Sequence, residues 1–357
     1  MQKQYSAREP YIRRLDLWAP DDTYTNHRIP GMLVTDRGTL LVYCEARRSA
    51  GDWAMMDILM QRSEDCGETF GPNIILAEGN EEHNTVNNPV MLQERSGRIH
   101  FLYCEDYTIR GGRILRRYSD DDGLTWSEPI DITHFAMSEF HNAFALGPGH
   151  GIVTPDGTLL VPIWMVPRRY EEPLTRHSPS VVSTFFSRDG GETWSLGEIL
   201  DTNPDVICPN ESVAAVTSAG EIYLNIRHQA SHRARAYSAD GCSGWREYGP
   251  DRALWDPRCF GSVAAYDDGV NPYSLIFVNC ASKTGRKNIT VRVSVDDGQS
   301  FPYTRTVDTE RGGYAEIAVD SRNGLIYLLY EDQYGITDHL AVCNYAWLTA
   351  ESAETDE

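Results

Sequence analysis

The sequence predicts an all-β fold, a six-bladed β-propeller of four-stranded antiparallel blades. An eight-residue turn pattern recurs along the chain at intervals typical of propeller blades. Most copies are preceded by two apolar runs around a D-G-like turn, which is typical of a β-hairpin. No helix-period pattern of useful length competes with these strands. The 357 residues, 41% of them hydrophobic, suffice for one large repetitive domain.

The repeated octamer has the form Ser-x-Asp-x-Gly-x-Thr/Ser-aromatic. Consecutive copies start 56, 68, 51 and 56 residues apart, at Ser63, Ser119, Ser187, Ser238 and Ser294. The copy at Ser238 is degraded at Cys242 and Gly244. The pattern predicts a tight turn in which Ser and Asp side chains bond nearby backbone, Gly takes a positive φ, and the aromatic packs between units.

These units predict the division of the chain into blades. Each octamer follows a β-rich run, and a sixth strand pair, YAEIAVDSRNGLIYLLYED, lacks the octamer. We expect a single domain over 1–357, with an acidic tail at 351–357 and blades at roughly 24–80, 81–135, 136–202, 203–254, 255–308 and 309–350. Either residues 1–23 or the run LAVCNYAW at 340–347 would close the ring, because an open ring exposes strand edges.

Charge and composition exclude several classes of partner. The formal net charge of −20 opposes binding to nucleic acid or to an anionic membrane surface. No stretch is apolar enough to span a membrane, and the N-terminus lacks the apolar region of a secretory signal, so we expect a cytoplasmic protein. An anionic ligand would need a local basic pocket. The eight cysteines show no metal-ligand spacing, and we expect small buried hydrophobes.

Polar residues stand at the ends of the predicted inner strands, where side chains can converge on the propeller axis. They occur in the segments NHRIP, CEARRSAGD, CPNES, NIRH, GRKNITVRVS, RGGYAEIAV and LLYED. The candidates in these segments are Arg28, Arg47, Asp52, Glu211, Arg227, Arg286, Tyr314 and Glu331.

Together, the octamers and these segments resemble the sialidase superfamily over nearly the whole chain. The octamer resembles that family's Asp box, and HRIP resembles the motif that carries the first arginine of its triad. The segments with Asp52, Glu211 and Tyr314 resemble those that carry the family's acid/base, its glutamate and its nucleophilic tyrosine. The segments occur along this chain in the same order as in the family. The resemblance implies a bacterial exo-sialidase-like glycoside hydrolase.

The roles that the resemblance implies agree with the chemistry of an anionic sugar. Guanidinium groups match a carboxylate in geometry and keep their charge, which suits a triad of Arg28, Arg227 and Arg286. A carboxylate nucleophile would have to approach the substrate's own carboxylate, whereas a tyrosine is neutral until a base activates it. The resemblance implies Tyr314 as the nucleophile and Glu211 as its base.

The remaining roles complete the implied site. Asp52 is the acid/base that protonates the leaving oxygen and then activates water. Glu331 positions and compensates Arg28, and Arg47 lines the pocket near the sugar's hydroxyl groups. The substrate would be terminal sialic acid, or a related nonulosonic acid, on a glycoconjugate. We expect neither a cofactor nor a metal, because His141, His150 and His177 fit no ligand spacing.

Other readings stay open. A hydrolase or lyase for another acidic sugar, such as a uronic acid, would keep the arginines without the pair formed by Tyr314 and Glu211. A non-catalytic, lectin-like propeller would be expected to have lost Asp52, Glu211 or Tyr314, and intramolecular transglycosylation would use the same residues. The chain also has Ala315 where typical relatives have Ser after the tyrosine. The linkage preference and the oligomeric state do not follow from the sequence.

Overall fold

The structure is a computed structural model that describes residues 9–83, 85–108, 111–136, 143–166, 178–310, 312–332 and 334–350. In these residues the chain forms 26 strands and two short helices. The strands of the first half are β1 (Ile12–Trp18), β2 (Asn26–Val34), β3 (Leu40–Arg47), β4 (Met56–Ser63), β5 (Ile74–Ala77), β6 (Val86–Gln93), β7 (Ile99–Thr108), β8 (Gly111–Ser119), β9 (Ile130–Asp131), β10 (Ala143–Leu146), β11 (Gly149–His150), β12 (Ile152–Val153) and β13 (Leu159–Val166).

The second half continues the same alternation of short strands. Its strands are β14 (Val181–Ser187), β15 (Ser195–Leu196), β16 (Ser212–Val216), β17 (Ile222–Ile226), β18 (His232–Ser238), β19 (Arg246–Trp255), β20 (Ser262–Tyr266), β21 (Ser274–Cys280), β22 (Ile289–Ser294), β23 (Tyr303–Asp308), β24 (Ala315–Asp320), β25 (Leu325–Glu331) and β26 (Asp338–Asn344). The helices are α1 (Thr133–Ala136) and α2 (Tyr345–Thr349). Neither is long or apolar enough to cross a bilayer, and no other helix occurs in the described residues.

Six sheets make up the six blades of a β-propeller, as the sequence predicted. Their strand orders are β2-β3-β4-β5, β11-β6-β7-β8-β9, β10-β13-β14-β15 with β12 also on β13, β16-β17-β18-β19, β20-β21-β22-β23 and β1-β26-β25-β24. Two sheets thus have five strands rather than four. The pairing is antiparallel except where β11 runs parallel to β6, so Gly149 and His150 add a strand to the second sheet.

Both ends of the chain close the ring. The sequence offered residues 1–23 and residues 340–347 as alternatives, and the structure uses a strand from each. β1 pairs with β26 in the sixth sheet, where Ile12 faces Cys343. This pairing covers an edge that either strand alone would leave open.

The hydrophobic core lies between neighbouring sheets. One cluster joins the sixth and first sheets through residues such as Met32, Val42 and Leu340, and another joins the first and second through Tyr43 and Phe101. All eight cysteines are free, and six of them are buried. Because the sheets pack face to face around one axis, the inner strands of neighbouring blades lie side by side.

The octamers form the hydrogen-bonded turns that the sequence predicted. In the third copy, the Ser187 hydroxyl donates to Asp189 at 2.8 Å and accepts from the Gly191 amide at 2.8 Å. Asp189 also accepts from the amide and hydroxyl of Thr193, and Gly191 has φ +85°. Trp194 of this copy is buried and stacks on Phe185. The octamer turn thus stabilises the end of the third strand in its blade.

Candidate active site

A polar cavity of about 210 Å³ opens at one end of the inner strands. Of the eight site residues predicted from the sequence, seven line this cavity, and Glu331 is buried behind Arg28. The lining residues are Arg28, Ile29, Glu45, Arg47, Asp52, Asn87, Asn88, Trp164, Asn210, Glu211, Arg227, Arg286 and Tyr314.

Tyr314 and Glu211 form a direct hydrogen bond in this cavity. Tyr314 precedes β24, Glu211 precedes β16, and the tyrosine hydroxyl donates to Glu211 Oε1 at 2.5 Å. Arg227 follows β17, whose end lies beside the start of β16, and it donates to both Glu211 and the tyrosine oxygen. Burial raises the pKa of the Tyr314 hydroxyl, Arg227 lowers it and Glu211 raises it. The pair can accordingly share and transfer a proton.

Three guanidinium groups surround the Tyr314 ring. The Cζ atoms of Arg28, Arg227 and Arg286 lie 5.2, 5.8 and 5.2 Å from its centroid. Arg28 and Arg227 each bind a carboxylate, whereas Arg286 has no hydrogen-bond or ion-pair partner in the described part of the chain. The cluster therefore retains an uncompensated positive charge that an anionic ligand can neutralise.

Glu331 joins Arg28 to the backbone of Tyr314. Its Oε1 accepts from Arg28 Nε and from the Ile29 amide, both at 2.8 Å, and its Oε2 accepts from the Tyr314 amide at 3.0 Å. Burial would raise the pKa of Glu331, but Arg28 lowers it below its usual range. Ile29 has φ +57°, a strained conformation for a β-branched residue, which the bond to Glu331 stabilises.

Asp52 lies on the loop after β3 and is tied to Arg47. The Nη1 atom of Arg47 donates to Asp52 Oδ1 and to the Gly51 carbonyl, each at 3.0 Å. The Asp52 side chain is 59% exposed, whereas that of Arg47 is 3% exposed. A rigid cation thus holds a carboxylate that can still reach a ligand and solvent.

Sequence reasoning missed several residues of the cavity. Glu45 lies two positions before Arg47 on the same face of β3, and this alternation was the available signal. Asn87 and Asn88 precede a proline on β6, as Arg28 and Ile29 do on β2, and Asn88 also has a positive φ of 51°. The repeated placement of the proline could have indicated a second strand bulge beside the pocket.

Trp164 also lines the cavity, and Ala315 is fully buried at the start of β24. Of the three histidines considered in the sequence, His141 and His177 lie outside the described residues. His150 binds the buried Glu316 carboxylate at 2.5 Å.

One cluster in the described ranges could supply metal ligands. It comprises His83, Glu105 and Asp106, and it does not line the cavity. Arg113 donates to Glu105 within the same cluster, so a resident cation already compensates part of its negative charge. This arrangement is that of an ion-pair network.

Comparisons with known proteins agree with the fold. Residues 71–328 match the model of the BNR repeat-like domain family. A sialidase of Bacteroides fragilis is 28% identical over 346 residues, which cover 88% of this chain and 61% of the relative. An exo-alpha-sialidase of Arthroderma benhamiae is 26% identical over 395 residues, covering 97% and 91%. The chain thus spans less than two thirds of the first relative and most of the second.

Solved structures give the same result. The Hadza microbial sialidase Hz136 superposes with a TM-score of 0.81 at 26% identity, covering 92% of this chain and 68% of that one. An intramolecular trans-sialidase of Ruminococcus gnavus gives a TM-score of 0.78, with 94% and 98% covered, and at 18% identity it shows the fold alone. The fold and relatives define a sialidase-superfamily propeller. The chain belongs to the BNR repeat-like domain family.

Proposed function

We propose that this protein is a retaining exo-glycosidase that hydrolyses terminal sialic acid, or a related nonulosonic acid, from glycoconjugates. The observation that carries the proposal is the hydrogen bond from Tyr314 to Glu211 inside a cluster of three arginines. A phenol beside a carboxylate is a potential nucleophile, and the arginines provide a site for an anion. The sialidases among the relatives support the same substrate class.

The substrate carboxylate would bind to Arg28, Arg227 and Arg286. No carboxylate among the described residues forms an ion pair with Arg286, and the other two arginines are held in place by Glu331 and Glu211. Because these carboxylates fix the guanidinium groups before the ligand arrives, little side-chain freedom is lost on binding. Once bound to the arginines, the substrate carboxylate would orient the anomeric carbon of the sugar towards the Tyr314 hydroxyl.

Tyr314 would attack the anomeric carbon while Glu211 takes the phenolic proton. Burial raises the pKa of the phenol, so the free tyrosinate is unfavourable and a base in direct contact is required. The guanidinium groups of Arg227, Arg286 and Arg28 lower the pKa of the phenol and stabilise negative charge developing on its oxygen. The product of this step would be a tyrosyl-enzyme intermediate.

Asp52 would serve as the acid and then as the base. In the first step its proton passes to the glycosidic oxygen, and the C–O bond to the leaving group breaks. In the second step it deprotonates a water that attacks the anomeric carbon, and Tyr314 leaves and recovers its proton from Glu211. Two displacements at one carbon retain the anomeric configuration.

The test is the release of free acid from a fluorogenic sialoside between pH 4 and 8, a range that spans carboxyl and imidazole pKa values. We expect turnover, with product of retained configuration in early NMR spectra. Absence of release from every nonulosonic acid conjugate would refute the proposal. An anhydro sugar as the sole product would instead indicate intramolecular transglycosylation, and turnover of uronic acid conjugates alone would indicate the acidic-sugar alternative.

A further inference from the structure

Glu45 is a buried carboxylate that no role above has used. It lies on β3, is 1% exposed, and lines the cavity. Its Oε2 accepts from Nε and Nη2 of Arg47 at 3.0 and 2.6 Å, and its Oε1 accepts from the Asn88 amide at 2.8 Å. Glu45 therefore fixes both Arg47 and the left-handed turn at Asn88.

A related arrangement occurs one blade earlier, where the arginine lies on the next sheet rather than on the strand of the carboxylate. Glu331 binds Arg28 and the amide of Ile29, as Glu45 binds Arg47 and the amide of Asn88. In both cases a carboxylate at the end of one sheet holds a positive-φ residue at the start of the next. The two carboxylates thus occupy corresponding positions, but Glu45 acts on the arginine that binds Asp52.

In the part of the chain that the structure describes, few charges lie on the Asp52 side of the cavity. Arg47 contacts Asp52 directly, Glu45 stands behind Arg47, and Arg28 of β2 is the next cation. β6 contributes only the neutral amides of Asn87 and Asn88. Of the neighbouring charges, Arg48 pairs with Asp57 at the start of β4, and those across the cavity are Glu211, Arg227 and Arg286.

We propose that Glu45 is a positioning residue that holds Arg47 and screens its charge from Asp52, so that Asp52 keeps its proton at the working pH. An unscreened guanidinium 3.0 Å from Asp52 would stabilise the ionised carboxylate, which cannot act as an acid. Glu45 places a negative charge on the opposite side of the same guanidinium, which offsets its effect on Asp52. This inference rests on the proposed function, because it takes Asp52 as the acid/base.

The test compares the pH dependence of kcat/KM in the wild type and in Glu45→Gln, which keeps the shape and removes the charge. Activity that needs a protonated acid falls as the pH rises, and this fall forms the basic limb of the pH profile of kcat/KM. In Glu45→Gln the basic limb should move to lower pH by about 1 unit, because Asp52 should lose its proton more readily. At pH 7 the loss should be about 10-fold for sialyllactose and smaller for an aryl sialoside, whose leaving group needs less protonation.

Two variants separate charge from structure. Glu45→Asp keeps the charge and shortens the reach, so we expect lower turnover without an acidward shift. Asp256→Asn removes another buried carboxylate, one that pairs with Arg233 at 3.5 Å outside the cavity, and the limb should stay in place. Should Glu45→Gln not fold, Arg47→Gln gives the opposite test, because loss of the cation should move the limb to higher pH.

The outcomes distinguish the two proposals. An active wild type with an unmoved or alkaline-shifted Glu45→Gln limb overturns the role of Glu45 and leaves the proposed function standing. A wild type without turnover on either substrate overturns both.

Discussion

Tyr314 donates a hydrogen bond to Glu211 across 2.5 Å, although 103 positions separate the two residues in the chain. The fold produces this contact because both residues stand just before the first strand of a sheet, β24 and β16, and these strands surround one axis. The phenol thus meets its base without any local sequence signal linking them.

Tyr314→Phe should abolish turnover of a fluorogenic sialoside, with kcat reduced at least ~10³-fold, because the nucleophilic oxygen is lost. The matched control is Tyr266→Phe, which removes a buried hydroxyl that binds Asp268 outside the cavity. Both variants should keep the circular dichroism of the wild type. Substantial turnover by Tyr314→Phe would contradict the assigned nucleophile.

Arg286→Ala should lower the affinity for a carboxylate-bearing sialic acid analogue by about 10- to 100-fold, since a charge-assisted contact is lost. Its effect on stability should be small, because Arg286 forms no ion pair with any carboxylate of the described ranges. Arg28→Ala should differ by also lowering the free energy of unfolding by about 3–5 kcal/mol, because Glu331 remains buried and uncompensated. Isothermal titration and urea unfolding check both statements, and equal affinity for the analogue in Arg286→Ala would remove that residue from the triad.

Glu331→Gln should be less stable than the wild type at pH 7, by about 1–3 kcal/mol, and the difference should narrow in acid. Burial raises the pKa of Glu331, but Arg28, Arg286 and the Ile29 amide together lower it more, so the folded-state pKa lies below the unfolded value near ~4.3. The charge contributes fully above that unfolded value and ceases to contribute as the pH falls through the folded pKa. Urea unfolding at pH 7 and pH 3.5 measures this, with the exposed Glu192→Gln as a control that should change little. A difference that widens in acid would reverse the assigned sign.

Gly149→Ala should destabilise the propeller far more than Gly97→Ala. Both glycines have nearly the same backbone, φ +93° and +95°, so the strain of adding a side chain is common to both. A Cβ at Gly149 would lie 2.1 Å from Glu316 Oε2, whereas at Gly97 it would meet nothing within 4 Å. We expect a cost of about 1 kcal/mol for Gly97→Ala and at least ~3 kcal/mol for Gly149→Ala. Equal melting temperatures would show that the axial packing around Glu316 is loose.

The sequence predicted the fold from its repeated octamers. It predicted most of the candidate site from short motifs at the strand ends, which occur in the same order as in the family. Five octamers and one further strand pair indicated six units, and the octamer turns formed as expected around residues such as Ser187 and Asp189. The sequence did not predict the parallel strand at Gly149 or the closure of the ring by strands from both chain ends, because these features depend on contacts between distant segments. Glu45 was missed because nothing near it in the chain indicates that it binds the Asn88 amide of the next blade.

By itself, the sequence determined that the chain folds into six β-blades and which polar residues stand at the strand ends, because turn chemistry and alternating hydrophobicity act over a few residues. Only the tertiary structure decided which charges meet: that Arg286 alone among the three arginines around Tyr314 lacks a carboxylate in the described residues, and that Glu331 and Glu45 each hold an arginine. The physical reason is that charge compensation depends on distances through space, which ring closure sets and the order of residues does not.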